Sequence, residues 1–321
     1  MPYGAQFFCP TKELTYLKRF LILCSPVLIL LSAFAVARPQ TQEIAVTIDD
    51  LPAHSALPPD ETRLDVANKI LKALDEAHVP PTYGFVNGAG LNEVPTDGSV
   101  LDAWRAQGNP LGNHTWSHMS LNTHTAEQFE ADILQNEPVI RDRMAGQDWR
   151  WLRYPFLQEG DTPEKRNEVR QFIAKHGYKI AAVTMSFGDY LWNEPYARCS
   201  AKNDAQAIHQ LEESYLRAAD EEVDYEEALS HIVYGHGIPY VLLMHIGAFD
   251  ARMMPRLFAL YQRKGLRFVT LADAEKDPFY ASDVDPNLPA GPSGLAEDAT
   301  SKHIPLPPHP QSVDFLKSLC R

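Results

Sequence analysis

The sequence predicts an α/β fold, an irregular (β/α) barrel of about seven parallel strands. Short apolar, β-rich segments alternate with longer segments whose apolar residues recur at helical spacing. Most predicted strands are followed by a predicted helix, which is the pattern of parallel βαβ units. The 321 residues suit one large domain, and a single barrel is the natural closure at this length. A flat doubly wound sheet is the alternative.

The individual elements follow from local patterns along the chain. A buried strand is predicted where the sequence is EIAVTI, at residues 43–48. Residues 62–77 have apolar side chains three or four positions apart, as a helix with one buried face requires. Thr162 followed by Pro163 is typical of a helix cap and first turn. The remaining strands are predicted at 82–86, 109–113, 150–154, 179–185, 239–244 and 266–271, and the remaining helices at 100–107, 126–144, 163–176, 204–228 and 252–264.

The composition is that of a folded globular protein with a strong acidic balance. Hydrophobic residues make up 45% of the chain and charged residues 22%, and the formal net charge is -13. Nucleic acids and anionic membrane surfaces would repel such a chain. We therefore expect no nucleic-acid partner, and no protein partner is indicated.

The N-terminus predicts an export signal. Lys18 and Arg19 precede an apolar run that gives way to small residues, the pattern of a secretory leader. We expect cleavage after Ala37 or Ala35, so that residues 1–37 form a signal peptide. The protein would then be periplasmic or secreted, without stable membrane insertion after the leader is removed. The alternative is an uncleaved anchor.

The rest of the chain is predicted to divide into a catalytic domain and a tail. Residues 38–280 hold the predicted strands and helices, whereas 281–321 are rich in proline and are expected to form a flexible or extended appendage. Cys199 and Cys320 remain after leader removal. They can form one disulfide between the tail and the loop at Cys199, with two unpaired thiols as the alternative.

Residues that can bind a metal ion follow directly after two predicted strands, where an α/β barrel places its active site. Asp49 and Asp50 follow the first strand. His114 and His118 are four residues apart, so one face of a helical turn would present both imidazoles to one ion. Two histidines and one carboxylate, from Asp50 or Asp49, suit Zn or another divalent ion with open positions for water.

Three more candidates stand in corresponding places. Arg153 lies in the segment RYPF and can hold a carboxylate in a bidentate manner. Asp189 precedes a tyrosine, and His245 follows the apolar strand VLLM. Taken singly, these residues are better explained by a surface ion pair, a turn and a buried structural histidine. Their common position after strands favours a shared site.

The order of these motifs resembles the polysaccharide deacetylases of carbohydrate esterase family 4, the NodB-homology type. The resemblance runs from about residue 44 to residue 271. The sequence TIDDL stands in place of the family's T-F-D-D-G, while HTWSH matches H-[ST]-x-x-H in full and RYPF matches R-x-P-[YF]. The departures indicate a divergent branch.

The resemblance implies a role for each candidate residue. Asp49 would be the general base, oriented by Arg153, and His245 the general acid, tuned by Asp189. The metal ligands would be Asp50, His114 and His118, and the backbone N–H of Phe156 would join the metal in holding the oxyanion. The cofactor would be a divalent metal, most readily Zn, with Co, Ni or another divalent ion as alternatives.

The implied reaction removes acetyl groups from an N- or O-acetylated carbohydrate, using water activated by the metal. Tyr154, Tyr190 and Trp192 are expected to contact the sugar substrate. Leu51 replaces the family's glycine and Ser186 replaces an aspartate, which suggests a distinct glycan or a smaller target. The alternatives are a hydrolase of the same fold acting on a non-sugar C–N amide bond, and a catalytically silent carbohydrate-binding protein.

One segment lies outside the family pattern. Residues 193–199 read NEPYARC and are predicted to form a lid or a subsite.

Overall fold

A curled parallel sheet surrounded by helices forms the body of the molecule in the computed structural model, which describes residues 42–93, 98–309 and 313–321. The strands of these residues are β1 Glu43–Leu51, β2 Tyr83–Val86, β3 Leu111–Asn113, β4 Trp151–Leu152, β5 Lys179–Ile180, β6 Tyr240–His245 and β7 Arg267–Val269. The α-helices are α1 Arg63–Glu76, α2 Gly90–Glu93, α3 Gly98–Ala106, α4 Ala126–Met144, α5 Pro163–Lys175, α6 Asn193–Ala201, α7 Ala205–Tyr234, α8 Ala248–Arg263, α9 Leu271–Ala274, α10 Ala281–Val284 and α11 Leu295–Ser301.

The sheet curls back on itself. In the described part of the chain its order is β5-β4-β3-β2-β1-β6, every pairing is parallel, and β7 pairs with the beginning of β1. The segment after β5 returns to β6, where the Met185 N–H donates to the Val241 carbonyl and the Leu243 N–H donates to the Met185 carbonyl, at 3.1 and 3.0 Å. The predicted irregular barrel of parallel strands is thus confirmed, and the flat doubly wound alternative is wrong.

Side chains of strand β1 contribute to the apolar clusters on both faces of the sheet. Successive strand residues point to opposite sides, and Ile44, Val46 and Ile48 pack among the buried side chains of the surrounding helices. Ala45 instead packs with Phe85 and the other residues of a second, smaller apolar cluster. Since positions 47 and 49 have the same parity as position 45, β1 directs two polar side chains to that second face.

The helices predicted from periodicity and caps are present. In α1, the Thr62 side chain accepts from the Asp65 N–H while Asp65 caps the Thr62 N–H, a reciprocal capping box. Helix α5 begins at Pro163, and the Thr162 side chain accepts from the Lys165 N–H. Such caps are each worth about 1 kcal/mol because they satisfy N–H groups that the first turn leaves unpaired.

The segment 193–199 belongs to the packed body, which corrects its interpretation as a lid. It lies in α6, whose residues Asn193, Tyr196 and Cys199 are buried. The side-chain amide of Asn193 holds the beginning of α6 against α8. It accepts from the Phe249 N–H at 2.8 Å and donates to the Asp250 carboxylate at 2.7 Å.

The C-terminal residues are also packed, which contradicts their interpretation as a flexible or extended appendage. Helix α11 buries Leu295 and Ala299, and Leu316 is buried further on. Cys199 and Cys320 form a disulfide, so the end of the chain is joined to α6. Apolar residues of this segment therefore pack into the main hydrophobic core.

The predicted signal peptide, residues 1–37, lies outside the described residues. Within the described ranges, no helix has the length and the apolar character that crossing a bilayer requires.

Candidate active site and metal centre

A cavity of about 530 Å³ lies where β1, β3 and β6 end. Asp49 and Asp50 contribute to its wall although they are neighbours in a strand. The φ angle of Asp50 is +65°, in the left-handed region, and this breaks the alternation of side chains. Both carboxylates therefore face one cavity. Such backbone conformations cost about 1–3 kcal/mol in a non-glycine residue and are concentrated at functional sites.

The two histidines of HTWSH are brought together by an irregular turn, so their predicted placement on one face of a helical turn is wrong. Thr115 and His118 have φ angles of +61° and +56°. The turn is held on α4, where Asp132 accepts from the Ser117 N–H at 2.9 Å. The ring centroids of His114 and His118 are 4.9 Å apart. The irregular turn therefore brings the two imidazoles together, as a helical turn was expected to do.

Asp50, His114 and His118 form a candidate metal site. Their ligand atoms lie within 4.8 Å of one another. Asp50 Oδ1 is 3.5 Å from Nε2 of each histidine, is buried, and has no hydrogen-bond partner among the described residues. Nδ1 of His114 hydrogen-bonds the Arg153 carbonyl at 2.7 Å, which leaves Nε2 as the ligand atom. An unpaired buried carboxylate oxygen facing two imidazole nitrogens fits a divalent cation.

The protonation of this set also fits a cation. Burial raises the pKa of Asp50, but the hydrogen bond from His54 and the nearby histidines outweigh burial and hold the pKa below its usual range. Burial and the neighbouring His114 lower the pKa of His118 to about 4, against the attraction of Asp50. Near neutral pH, Asp50 is therefore ionised and His118 is neutral, the forms that ligate metals.

Arg153 lies behind Asp49 and contacts Phe85 and Ala181 of the second apolar cluster. Its Nη1 lies 3.3 and 3.4 Å from the two carboxylate oxygens of Asp49, and Nη2 donates to Thr47 Oγ1 at 3.0 Å. Nε donates to the Ala181 carbonyl at 2.8 Å. The guanidinium is completely buried over the Phe85 ring. This arrangement fixes the Asp49 carboxylate and supplies its counter-charge.

His245 faces the same cavity from the end of β6. Asp189, which is fully buried, accepts from the backbone N–H of His245 at 2.7 Å and contacts its Nδ1 at 2.9 Å. Burial alone would lower the pKa of His245, but the charge and hydrogen bond of Asp189 raise it to about 10. His245 is therefore a cation near neutral pH and can donate a proton.

Phe156 presents its backbone N–H at a tight turn beside the metal site. Its φ is +57°, and the hydrogen bonds of the turn come from the N–H groups of Leu157 and Gln158. The Phe156 ring lies 4.4 Å from the ring of His118 and is 61% exposed. The N–H of Phe156 is thus outside the turn's own hydrogen bonds.

The predicted sugar-contacting residues divide into one at the rim and two in the interior. Tyr190 is 44% exposed and packs edge-on against His245, so it can contact a substrate. Trp192 is fully buried, with Nε1 donating to Ser214, and lies outside the cavity wall. Tyr154 is buried with its ring stacked on Phe129, and it forms part of the cavity wall. The expected contact of Trp192 is therefore wrong, whereas that of Tyr154 stays a prediction.

His54 also contacts this site, and it was not among the residues predicted from the sequence. Nδ1 of His54 hydrogen-bonds Asp50 Oδ2 at 2.8 Å, and its ring lies 4.9 Å from the ring of His245. The only signal in the sequence is a histidine four residues after Asp50 in a loop with proline, which no helix or strand pattern singles out.

Chemically, the site combines a cation-binding triad, a carboxylate held by an arginine, and a protonated histidine held by a carboxylate. These are the parts of metal-assisted hydrolysis, in which one group removes a proton from water and another protonates the leaving group.

Sequence comparison identifies relatives of known type. Residues 37–181 match the family model described as polysaccharide deacetylase. A peptidoglycan-N-acetylglucosamine deacetylase of Bacillus cereus is 27% identical over 125 residues, which cover 39% of this chain and 40% of that protein. A chitin deacetylase of Pestalotiopsis sp. is 27% identical over 112 residues, 35% of this chain and 37% of that protein. The alignments thus span about two fifths of the length of these curated relatives.

Structural comparison supports the fold. The chitin deacetylase of Colletotrichum lindemuthianum superposes with a TM-score of 0.52 at 21% identity, over 73% of this chain and 88% of that one. A family 4 carbohydrate esterase pseudoenzyme of Bacillus anthracis superposes with a TM-score of 0.51 at 14% identity, over 74% of this chain and 66% of that one. Residues 37–181, a little under half of the chain, therefore match the family that the motifs of the sequence resemble, the polysaccharide deacetylases.

Proposed function

We propose that this protein is a metal-dependent hydrolase that removes acetyl groups from an N- or O-acetylated carbohydrate. The observation that carries the proposal is the unpaired Oδ1 of Asp50 between His114 and His118, beside an Asp49–Arg153 pair and an Asp189–His245 pair. All of these groups surround one cavity or stand directly behind its wall.

The metal would be held by Asp50, His114 and His118. A divalent ion bound there supplies a Lewis acid, which lowers the pKa of water and polarises a carbonyl group. Zn is the first candidate, and Co or Ni can occupy the same ligand set.

Asp49 is the proposed general base, since its carboxylate lies 3.6 Å from Nε2 of His114, beside the metal site. It takes a proton from the water whose oxygen attacks the acetyl carbon. Arg153 keeps the carboxylate oriented, because it is a fixed cation with no access to solvent. General bases of this kind contribute about 10²–10⁴-fold to rates.

His245 is the proposed general acid. It donates its proton to the departing amine nitrogen, or to the alcohol oxygen of an ester, as the bond to the acetyl carbon breaks. The backbone N–H of Phe156 donates to the oxyanion of the tetrahedral intermediate, as such groups do in acyl transfer. The products are acetate and the free amine or hydroxyl group.

A carbohydrate substrate is favoured by the shape of the cavity and by the relatives. Tyr190 and Phe156 are exposed at the rim, so the cavity opens to the surface, whereas a small non-sugar amide would favour a closed pocket. The two curated relatives are named for peptidoglycan N-acetylglucosamine and chitin. N-acetylated glucosamine polymers are therefore the first substrates to test.

We also propose that the protein is exported, to the periplasm or beyond. The leader pattern that precedes Ala37 supports this location. The disulfide between Cys199 and Cys320 is consistent with an oxidising compartment.

The test is acetate release from chitin oligomers, peptidoglycan and acetylated xylan, with and without a chelator. We expect release that the chelator abolishes and that an added divalent ion restores. Release that resists complete metal removal would contradict the proposed metal dependence. A fully metal-loaded protein that releases no acetate from any of the three would favour the non-sugar amide or the carbohydrate-binding alternative.

A further inference from the structure

His54 contacts the candidate metal site without belonging to the ligand set or to the acid and base pairs. It follows β1 by three residues. The Arg63 guanidinium holds its loop by donating to the carbonyls of His54 and Ser55, at 3.0 and 2.8 Å. The backbone that carries the imidazole is therefore fixed from outside the site.

We infer that His54 is a positioning residue for Asp50 and that its second ring nitrogen accepts a hydrogen bond from the substrate. The first part concerns the affinity of the site for metal, and the second rests on the proposed function.

The first part follows from the two oxygens of Asp50. Oδ2 is 2.8 Å from Nδ1 of His54, whereas Oδ1 is unpaired and lies between the two histidine ligands. Rotation about the terminal bond of an aspartate is soft, so an unsupported carboxylate samples many orientations. The bond from His54 selects the orientation that directs Oδ1 to the metal. Hydrogen bonds to ligating carboxylates act in this way at other metal sites.

The second part follows from the other ring nitrogen. In the tautomer whose Nδ1–H donates to Asp50, Nε2 is the acceptor of the ring. This atom is buried and has no hydrogen-bond partner within the described ranges. A buried acceptor left unpaired is costly, and a donor from a bound molecule would remove the cost.

The location of His54 indicates that the substrate supplies the donor to its Nε2 atom. Its ring lies 4.9 Å from the ring of His245 and 6.1 Å from that of Tyr190. His54 and Tyr190 line both the catalytic cavity and a second cavity of about 550 Å³ next to it. A sugar that reaches from the first cavity into the second passes His54, and its hydroxyl or amide N–H groups are suitable donors.

Two substitutions separate the two roles. In His54→Asn the amide nitrogen replaces Nδ1 as a donor to Asp50, but the acceptor at Nε2 is lost. In His54→Gln the longer side chain places its amide near the position of Nε2, and the donor at Nδ1 is lost. His209→Asn and His209→Gln are matched controls, because His209 is exposed on α7.

Zinc affinity is measured on full-length, metal-free protein by competition with a chromophoric chelator. We expect His54→Gln to weaken zinc binding about 10- to 100-fold, the usual effect of losing an outer-shell partner. His54→Asn should bind zinc within about threefold of the wild type but raise KM for chitin oligomers with little change in kcat, since uniform binding is lost. Thermal unfolding of each variant verifies the fold.

The outcomes are distinct. Wild-type zinc affinity in a folded His54→Gln variant would overturn the positioning role. A normal KM in His54→Asn would overturn the contact with substrate. If the wild type itself releases no acetate, the proposed function and the substrate contact fail together, while the zinc titrations still decide the positioning role.

Discussion

Asp189 binds His245 twice, accepting from its backbone N–H and contacting Nδ1 of its ring. The first contact fixes the end of β6 and the second fixes the ring, so the acid cannot turn away from the cavity. The same carboxylate keeps the ring protonated. Position and charge of the proposed general acid thus depend on one buried side chain.

Replacing Asp189 by asparagine should therefore change the pH dependence of the reaction. His245 works as an acid only while protonated, and activity is lost as the pH rises through its pKa, which is about 10 in the folded protein. Without the Asp189 charge, burial lowers this pKa, so the alkaline limb of kcat/KM should move down by about 1–3 pH units. A pH profile of acetate release measures the shift. An unmoved alkaline limb would remove His245 as the titrating acid.

Substitutions of the neighbouring residues Asp49 and Asp50 should have different effects, because one is the proposed base and the other a proposed metal ligand. Asp50→Ala or His114→Ala should lose both bound metal and activity. Asp49→Asn should retain a full metal equivalent and lose about 10²–10⁴-fold in kcat, because it removes only the base. Elemental analysis of purified variants, with circular dichroism as a check on folding, provides the measurement. A full metal equivalent in Asp50→Ala would contradict the ligand role of Asp50. Normal turnover in Asp49→Asn would contradict the role of Asp49 as base.

Glu226 should make the protein less stable as the pH rises. Burial and the nearby charge of Glu222 raise the pKa of Glu226 to about 8. Between its ordinary value near 4.5 and about 8, the folded state binds the proton that the unfolded state has released. The contribution of Glu226 to the free energy of unfolding is therefore complete below about pH 4.5 and is lost as the pH rises to about 8.

Glu226→Gln should thus gain stability relative to the wild type on going from pH 5 to pH 8, by about 2–4 kcal/mol, since one pH unit is worth about 1.4 kcal/mol. Urea unfolding at both pH values measures the difference. Glu227→Gln, at an exposed position on the same helix, is the control. Equal changes in the two variants would contradict the titration of Glu226.

The disulfide between Cys199 and Cys320 should stabilise the packed C-terminal segment. It closes a loop between residues 121 positions apart, and long loops gain most from closure. Cys320→Ser should lower the free energy of unfolding by about 2–4 kcal/mol. It should also speed proteolysis after α11. Unchanged unfolding and proteolysis under oxidising conditions would show that the apolar contacts of the segment suffice.

The sequence predicted the barrel and the residues at the strand ends well, because both depend on short-range patterns. Apolar runs located β1 and β6, and the next polar residues, Asp49 and His245, had to lie at one edge of a parallel sheet. The helical turn predicted for His114 was wrong because spacing does not reveal left-handed backbone.

Other features depend on contacts that spacing cannot reveal. Trp192 and Tyr190 are two residues apart, yet one is buried in an aromatic cluster and the other is exposed at the rim. Aromatic character alone does not distinguish these outcomes. His54 was missed for a related reason: its importance comes from one side-chain hydrogen bond across a loop, which leaves no periodic trace.

Arg153 connects Thr47 and Asp49 of β1 with the Ala181 carbonyl beyond β5 through one guanidinium. Strands on opposite sides of the curled sheet therefore share a cation that no other side chain can replace in shape and charge. A substitution of Arg153 is therefore expected to disturb the packing of the sheet and the orientation of the Asp49 carboxylate together. Within the described part of the chain, the exposed side chains of Tyr190 and Phe156 at the rim lack such connections, so substitutions there are expected to leave the interior unchanged.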